Sequence, residues 1–143
     1  MTINQISVFL ENKPGTLSGL TETLAENNIN MRAMSLADTS DFGIARIIAD
    51  NAEETAALLR KNEYVVKVTP VLALEIPDEA GSLNRILKLL GMNGCNVEYM
   101  YGFTGRRTNS ACMILRATDV PATEKVLADA GVRLVCSSDL SEL

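Results

Sequence analysis

Residues 6–17 of the chain read Ile6-Ser7-Val8-Phe9-Leu10-Glu11-Asn12-Lys13-Pro14-Gly15-Thr16-Leu17, and residues 72–83 repeat the pattern as Leu72-Ala73-Leu74-Glu75-Ile76-Pro77-Asp78-Glu79-Ala80-Gly81-Ser82-Leu83. The same separation of 66 residues aligns Asn30 with Asn96. The recurring residues include a glycine and an asparagine, which the packing of a core alone does not require. The repeat therefore predicts a duplicated module with a duplicated site.

Hydrophobic periodicity predicts the same order of elements in both halves. In the first half, a period-two strand pattern at residues 6–10 is followed by helical spacing that ends at Asn27-Asn28. Two strand-like runs, a helix capped by Asn51 and a last strand at residues 64–68 complete this half. The order strand, helix, strand, strand, helix, strand predicts an α+β fold of two tandem ferredoxin-like βαββαβ units, with antiparallel sheets and helices on one face.

The boundary between the two modules is predicted at Thr69-Pro70, the only residues between the last strand of one half and the first strand of the other. Residues 1–69 are then the first domain and residues 70–143 the second. Matching Asp50 with Asp119 increases the separation from 66 to 69 residues. This match predicts a three-residue insertion in the second hairpin, where insertions cost little.

The charge of the chain argues against nucleic-acid binding. Its 143 residues include 13 Lys and Arg against 18 Asp and Glu, a net charge of −5. A nucleic-acid phosphate backbone requires a positive surface instead. Two basic pairs, Arg60-Lys61 and Arg106-Arg107, are isolated and are typical of a solvated helix end and a solvated turn. We therefore expect no nucleic-acid partner.

Residue types that serve catalysis are scarce. The chain has no histidine, which excludes a Cys–His pair. Cys95, Cys112 and Cys136 lack CxxC spacing, so they are predicted to be reduced thiols and not metal ligands. Gly15 belongs to no phosphate-binding glycine pattern. We expect a protein that is not an enzyme and that uses no cofactor and no metal.

The N-terminal sequence Met1-Thr2-Ile3-Asn4-Gln5 lacks a basic region followed by an apolar run, so no signal peptide is predicted. No uninterrupted apolar stretch reaches the length needed to span a membrane. These observations predict a cytoplasmic protein without a membrane partner.

The loop at residues 12–17 is the first candidate site, because a strand there precedes the start of a helix. Free N–H groups of a first helical turn favour a carboxylate, and Gly15 permits close approach of a ligand. Asn12 offers both an acceptor and a donor, which suits the ammonium and carboxylate of a small zwitterion. Asn30 is expected on a neighbouring strand, and Leu17 and Met31 would accept an apolar ligand side chain. A purely structural turn with the same residues remains the competing interpretation.

The run Glu11–Leu17, followed after one helix by Asn28-Ile29-Asn30-Met31, resembles the ACT domain. The resemblance covers essentially the whole chain as two tandem copies. It implies regulatory binding of a free amino acid, usually where two such domains meet, with ligand contacts from Asn12 and Asn30. Serine-sensing members carry a histidine at the position of Leu10, so the resemblance does not extend to serine specificity.

The second copy departs from this pattern, with Asp78 in place of Asn12 and Ala80 in place of Pro14. An ionised Asp can hold an ammonium but repels a carboxylate, so the two sites are expected to differ. The predicted ligand-binding residues of both copies are Asn12, Lys13, Pro14, Gly15, Thr16, Leu17, Asn30, Met31, Asp78, Ala80, Gly81, Ser82, Leu83, Asn96 and Val97.

Two functions remain open at this stage. The first is a non-catalytic amino-acid sensor that forms a homodimer or acts on a partner metabolic enzyme. The alternative is a regulatory or structural subunit that acts mainly by association with an enzyme of amino-acid metabolism.

Overall fold

The computed structural model describes residues 1–38, 40–103 and 109–142. The basic pair Arg106-Arg107 and most of the predicted insertion lie outside these residues. The chain divides into two compact units, one formed by Asn4–Thr69 and the other by Pro70–Leu143 together with Met1–Ile3. We call them the first and the second unit.

The first unit has the predicted order of elements. Its elements are β1 (Ile3–Glu11), α1 (Thr16–Glu26), β2 (Met31–Asp38), β3 (Phe42–Ala49), α2 (Ala52–Lys61) and the start of β4 (Val65–Pro77). The strand order is β2-β3-β1-β4, with β1 and β2 both antiparallel to β3. Alternate residues of β1 point to the helices and pack with Leu20, Leu24 and Leu59 in one buried cluster.

The second unit repeats this arrangement. From β4 the chain continues through α3 (Ser82–Met92), β5 (Val97–Phe103), β6 (Ser110–Ala117), α4 (Val120–Asp129), β7 (Arg133–Val135) and a short 3₁₀ helix (Ser137–Glu142). Strand β4 lies between β6 and β7, and β5 pairs with β6. Leu72, Leu74, Leu90, Leu115 and Leu127 are fully or almost fully buried in its core. The predicted α+β fold of two βαββαβ units is confirmed.

The predicted interruption between two strands at Thr69-Pro70 is wrong, because β4 is a single strand from Val65 to Pro77, although the division between the two units falls between Thr69 and Pro70. Proline has no N–H to donate to a sheet, but its fixed φ is compatible with extended backbone. The carbonyl oxygen of Pro70 accepts a hydrogen bond from Arg116 Nη1 at 2.8 Å. Pro70 is therefore compatible with a continuous β4, because the sheet does not need an N–H donor at this position.

The predicted three-residue insertion is also wrong. Asn51 caps α2 by accepting from Glu54 N–H at 3.2 Å, and Asp119 caps α4 by accepting from Ala122 N–H at 3.0 Å. The two caps correspond to each other, and 119 − 51 gives a separation of 68, so the second hairpin is longer by two residues. Asn and Asp cap helices equally well, so the identity between Asp50 and Asp119 was misleading.

Gly81, directly before α3, and Gly91, inside α3, test the backbone conformation at the two positions. Gly81→Ala is expected to lower the free energy of unfolding by about 1 kcal/mol, since the φ of +90° at Gly81 costs an L residue about 1–2 kcal/mol. Gly91→Ala, inside the same helix with open space around it, is expected to raise that free energy by about 0.5–1 kcal/mol. Urea unfolding of both variants measures the difference. A stabilising effect of Gly81→Ala would contradict the left-handed geometry.

Candidate functional site

The loop between β1 and α1 is folded by backbone hydrogen bonds. Asn12 N–H donates to Asp41 O at 3.0 Å, which ties the loop to the residues before β3. Lys13 N–H donates to Glu11 O at 3.1 Å, and Thr16 N–H donates to Lys13 O at 3.3 Å. These bonds turn the chain sharply from the strand into the helix.

The loop between β4 and α3 forms the same bonds. Asp78 N–H donates to Asn109 O at 3.1 Å, Glu79 N–H to Pro77 O at 3.0 Å, and Ser82 N–H to Glu79 O at 3.2 Å. The duplication in the sequence is therefore a duplication of the loop geometry, and it extends beyond the core.

Glycine begins the helix in both loops. Gly15 has φ 86° and ψ −15°, and Gly81 has φ 90° and ψ −10°, and neither helix start has a side-chain cap. In contrast, the side chains of Asn51 and Asp119 cap α2 and α4. Thr16 N–H and Ser82 N–H donate to loop carbonyls, but the N–H groups that follow them in α1 and α3 have no side-chain cap, which leaves them suited to an anionic group.

A cavity of about 140 Å³ adjoins the first loop. It is lined by residues of the loop together with Leu36, Asp38 and Gly43. This volume is about that of five water molecules at roughly 30 Å³ each. A Cβ added at Gly15 would meet no heavy atom within 4 Å, so this side of the loop is open.

The charged residues of the first loop neutralise each other. Lys13 Nζ lies 2.5 Å from Glu11 Oε2, and both side chains are exposed. The hydrogen bond from Lys13 and its positive charge lower the pKa of Glu11. The loop itself therefore presents little net charge, and its polarity comes from Asn12 and from the helix N–H groups, while Asp38 adds a carboxylate to the cavity lining.

The second loop contains a residue that the sequence analysis missed. Arg85 Nη2 lies 2.6 Å from Glu79 Oε1 and 3.1 Å from the buried Ser82 Oγ. Arg85 Nη1 would lie 3.7 Å from a Cβ at Gly81. Arg85 corresponds to Gly19 at the separation of 66 residues, so the difference was present in the sequence. The guanidinium of Arg85 lies beside the start of α3, whereas the corresponding start of α1 at Gly15 has open space around it.

The remaining predicted loop residues have mixed surroundings. Pro14 and Ala80 precede the glycines and are exposed, as is Asp78. Leu17 and Leu83 are half-buried and pack against the cores of their own units.

The second set of predicted residues does not join the first. In β3, Phe42 is opposite Glu11 and Ala49 is opposite Met31. The end of β1 and the start of β2 are therefore seven residues apart along the strand direction. At about 3.3 Å per residue this separation is roughly 23 Å. The expectation that β2 lies beside β1 is wrong because β3 lies between them. Asn12 and Asn30 are therefore at opposite ends of the first unit.

Asn30 instead lines a cleft of about 580 Å³, which we call the Asn30 cleft. It is formed by the end of α1, the start of β2 and the start of α2, and its lining includes Arg32, Asp50 and Thr55. Met31 packs against the first core. In the second unit Val97 packs against its core, and Asn96 Nδ2 donates to Thr118 Oγ1 at 3.0 Å.

No helix in the ranges 1–38, 40–103 and 109–142 is long and apolar enough to cross a membrane. The same part of the chain contains no group of three or more His, Cys, Asp or Glu arranged to hold a metal ion.

Solved structures with this fold come from several organisms. Protein BT0572 from Bacteroides thetaiotaomicron is 36% identical, with a TM-score of 0.92 over 100% of this chain and 98% of that chain. The regulatory subunits of aspartate kinase from Thermus flavus and Thermus thermophilus are 16% and 15% identical, with TM-scores of 0.62 and 0.59. These matches cover 90% and 89% of this chain and 92% and 91% of those chains. At that identity the two subunits show a shared fold.

None of the curated proteins compared with the sequence matches it. The model of the ACT domain pair family, in contrast, matches residues 1–143. Together with the duplicated strand–glycine–helix loops and the relative at 36% identity, this match shows that the chain belongs to the ACT domain pair family.

Proposed function

We propose that this protein is a non-catalytic sensor that binds a free amino acid at the first β1–α1 loop, residues 12–17. One observation carries the proposal: α1 begins at a left-handed glycine without a side-chain cap, and its start adjoins a small cavity. Membership of the ACT domain pair family supports the regulatory part of the proposal.

The chemistry of the loop suits the head group of an amino acid. The first N–H groups of α1 and its dipole would hold the carboxylate. The side-chain carbonyl of Asn12 would accept from the ammonium. Leu17 and the half-exposed Leu36 would contact the ligand side chain. The cavity is small, so the proposal favours ligands with short side chains.

The second loop, residues 78–83, is proposed to bind the same ligand more weakly. Asp78 would attract an ammonium but repel a carboxylate. Arg85 lies over the start of α3, where a carboxylate would enter, and is held there by Glu79 and Ser82. The Arg85–Glu79 ion pair is largely exposed and contributes little energy, so a ligand could displace it at a modest cost.

A ligand that contacts Asn12 and Asn30 at the same time needs a second copy of the chain, because one unit holds these residues at opposite ends. The proposal therefore assigns the first loop to Asn12 without Asn30 and the second loop to Asp78 without Asn96, and it includes a homodimer that forms along the edge strands. The edge strand β2 carries exposed Met34 and Leu36, which fits this association.

The regulated target is proposed to be an enzyme of amino-acid metabolism in the cytoplasm. The Thermus aspartate kinase regulatory subunits have the same fold, and their function motivates this part of the proposal. The alternative, a subunit that acts by association alone, is favoured by the same exposed side chains of β2. Ligand binding at the loop distinguishes the two.

A screen of the twenty proteinogenic amino acids by thermal unfolding tests the sensor. A ligand present at about 100 times its Kd stabilises the folded protein by about 2.7 kcal/mol. For a chain of this length the melting temperature should rise by roughly 10 °C. If no amino acid at millimolar concentration changes the melting temperature, the sensor proposal is wrong and the association alternative is favoured.

Gly15→Ala tests the location of the site. The added methyl enters the open side of the loop, so the affinity measured by isothermal titration calorimetry should fall at least tenfold. Gly94→Ala is the matched control, because Gly94 also has a positive φ, of +70°, and also has open space around it. Both variants therefore carry similar backbone strain. Equal affinities in the two variants would exclude the first loop as the site.

A further inference from the structure

A β-bulge positions the charged residue of the Asn30 cleft. The pairing of β2 with β3 shifts in register between Met31 and Ala33, so Arg32 is the extra residue. Bulges redirect side chains and often do so next to functional sites. Arg32 is directed to Asp50, with Nε 2.8 Å from Oδ1 and Nη2 2.9 Å from Oδ2. This is the two-bond geometry of a strong guanidinium–carboxylate pair.

The pair keeps both charges over a wide pH range. The hydrogen bond with Asp50 raises the pKa of Arg32, and the hydrogen bond with Arg32 lowers the pKa of Asp50. The Arg32 side chain is 22% exposed and the Asp50 side chain is 48% exposed. Arg32 Nη1 makes no hydrogen bond within the described part of the chain. The cleft thus has a cation with free donors beside an anion with free lone pairs.

Thr55 provides a second, independent observation. Its side chain lines the cleft and the residue is only 2% exposed, yet its hydroxyl makes no hydrogen bond to any described residue. No fully buried side-chain oxygen among these residues lacks a partner, so the Thr55 hydroxyl retains some exposed surface in a residue that lines the cleft. Its counterpart Thr123 donates to Asp119 O at 2.7 Å instead. Thr55 therefore brings a largely buried hydroxyl, not used within the described residues, to the wall of the cleft.

The second unit lacks this arrangement. Its bulge has Glu98 at the position of Arg32, and Thr118 takes the position of Asp50. The Thr118 hydroxyl is bonded to Asn96, and Glu98 pairs with Arg116 at 3.5 Å. The polar groups that remain open in the first unit are satisfied in the second.

We infer that the Asn30 cleft is a second binding site, separate from the β1–α1 loop, for a zwitterionic α-amino acid whose side chain is polar and carries no negative charge. Arg32 Nη1 holds the carboxylate, and Asp50 accepts from the ammonium. The Thr55 hydroxyl and the Asn30 amide bind the polar side chain. Glu54, which also lines the cleft, disfavours an acidic side chain. The inference extends the proposed function but does not depend on the loop site, which lies roughly 23 Å away.

The test is isothermal titration of the full-length chain with L-serine, L-threonine, L-asparagine, L-glutamine, L-lysine and L-arginine, each repeated with its α-carboxamide and its N-acetyl derivative. At least one of these amino acids should bind, and both derivatives should bind at least tenfold more weakly. Equal affinities for an amino acid and both derivatives would overturn the inference, because the cleft would then not recognise the charged head group.

Variants separate the cleft from the loop. Arg32→Gln should reduce the affinity of the cleft ligand at least tenfold, and Arg116→Gln is the matched control, since its side chain is 23% exposed and belongs to the corresponding ion pair of the second unit. Gly15→Ala should leave this binding unchanged. Loss of all amino-acid binding in Gly15→Ala, with wild-type affinity in Arg32→Gln, would overturn the cleft site and support the loop. The reverse result would support the cleft and overturn the loop.

Thr55→Val keeps the test valid if Arg32→Gln does not fold. Valine has nearly the same shape and removes only a hydroxyl that has no protein partner, so the melting temperature without ligand should not fall. The affinity for the cleft ligand should fall severalfold. Thr123→Val, in the second unit, should leave the affinity unchanged. Unchanged affinity in Thr55→Val would overturn the assignment of this hydroxyl to the ligand.

Discussion

The left-handed conformation of Gly15 and Gly81 is the constraint on which both candidate loops depend. A residue with φ near +90° ends the strand geometry and begins a helix within a few residues, and glycine adopts this conformation without steric cost. Because glycine has no side chain, it cannot cap the helix that it starts. The same residue thus shapes the turn and leaves the helix N–H groups open. A side-chain cap such as that of Asn51 would give a more stable helix start but would close the position to a ligand.

Sequence reasoning was accurate where local chemistry decides the structure. Alternating apolar residues defined β1, the Asn51 and Glu54 pair marked the start of α2, and the repeated Gly marked both loops. It was inaccurate where strands from distant parts of the chain meet. The place of β3 between β1 and β2 is a property of the sheet, and β1 and β2 run in the same direction, so Asn12 after the end of β1 and Asn30 before the start of β2 lie far apart. The role of Arg85 could not be predicted from the sequence, because only the structure shows that its guanidinium lies next to Gly81.

The two modules have kept one backbone and changed the charges on it. Each unit has one bulge, one helix with a side-chain cap and one glycine turn, at corresponding positions. Arg32 and Glu98 have opposite charge at corresponding positions, and each pairs with a residue of opposite charge, Asp50 and Arg116, from a different position of its unit. Because backbone hydrogen bonds hold the frame, the side chains around it were free to diverge. A duplicated fold can in this way acquire different ligand preferences without a loss of stability.

The ion pair between Arg85 and Glu79 places a salt-sensitive contact beside the start of α3, because Arg85 Nη1 would lie 3.7 Å from a Cβ at Gly81, whereas no heavy atom would lie within 4 Å of a Cβ at Gly15. Both side chains are about 60% exposed, so dissolved ions screen their attraction. At about 1 M salt the screening length falls to about 3 Å, which weakens the attraction between the guanidinium and its carboxylate partner. The time that Arg85 spends over the start of α3 should therefore fall as the ionic strength rises, so dissolved salt would alter how unequal the two modules are.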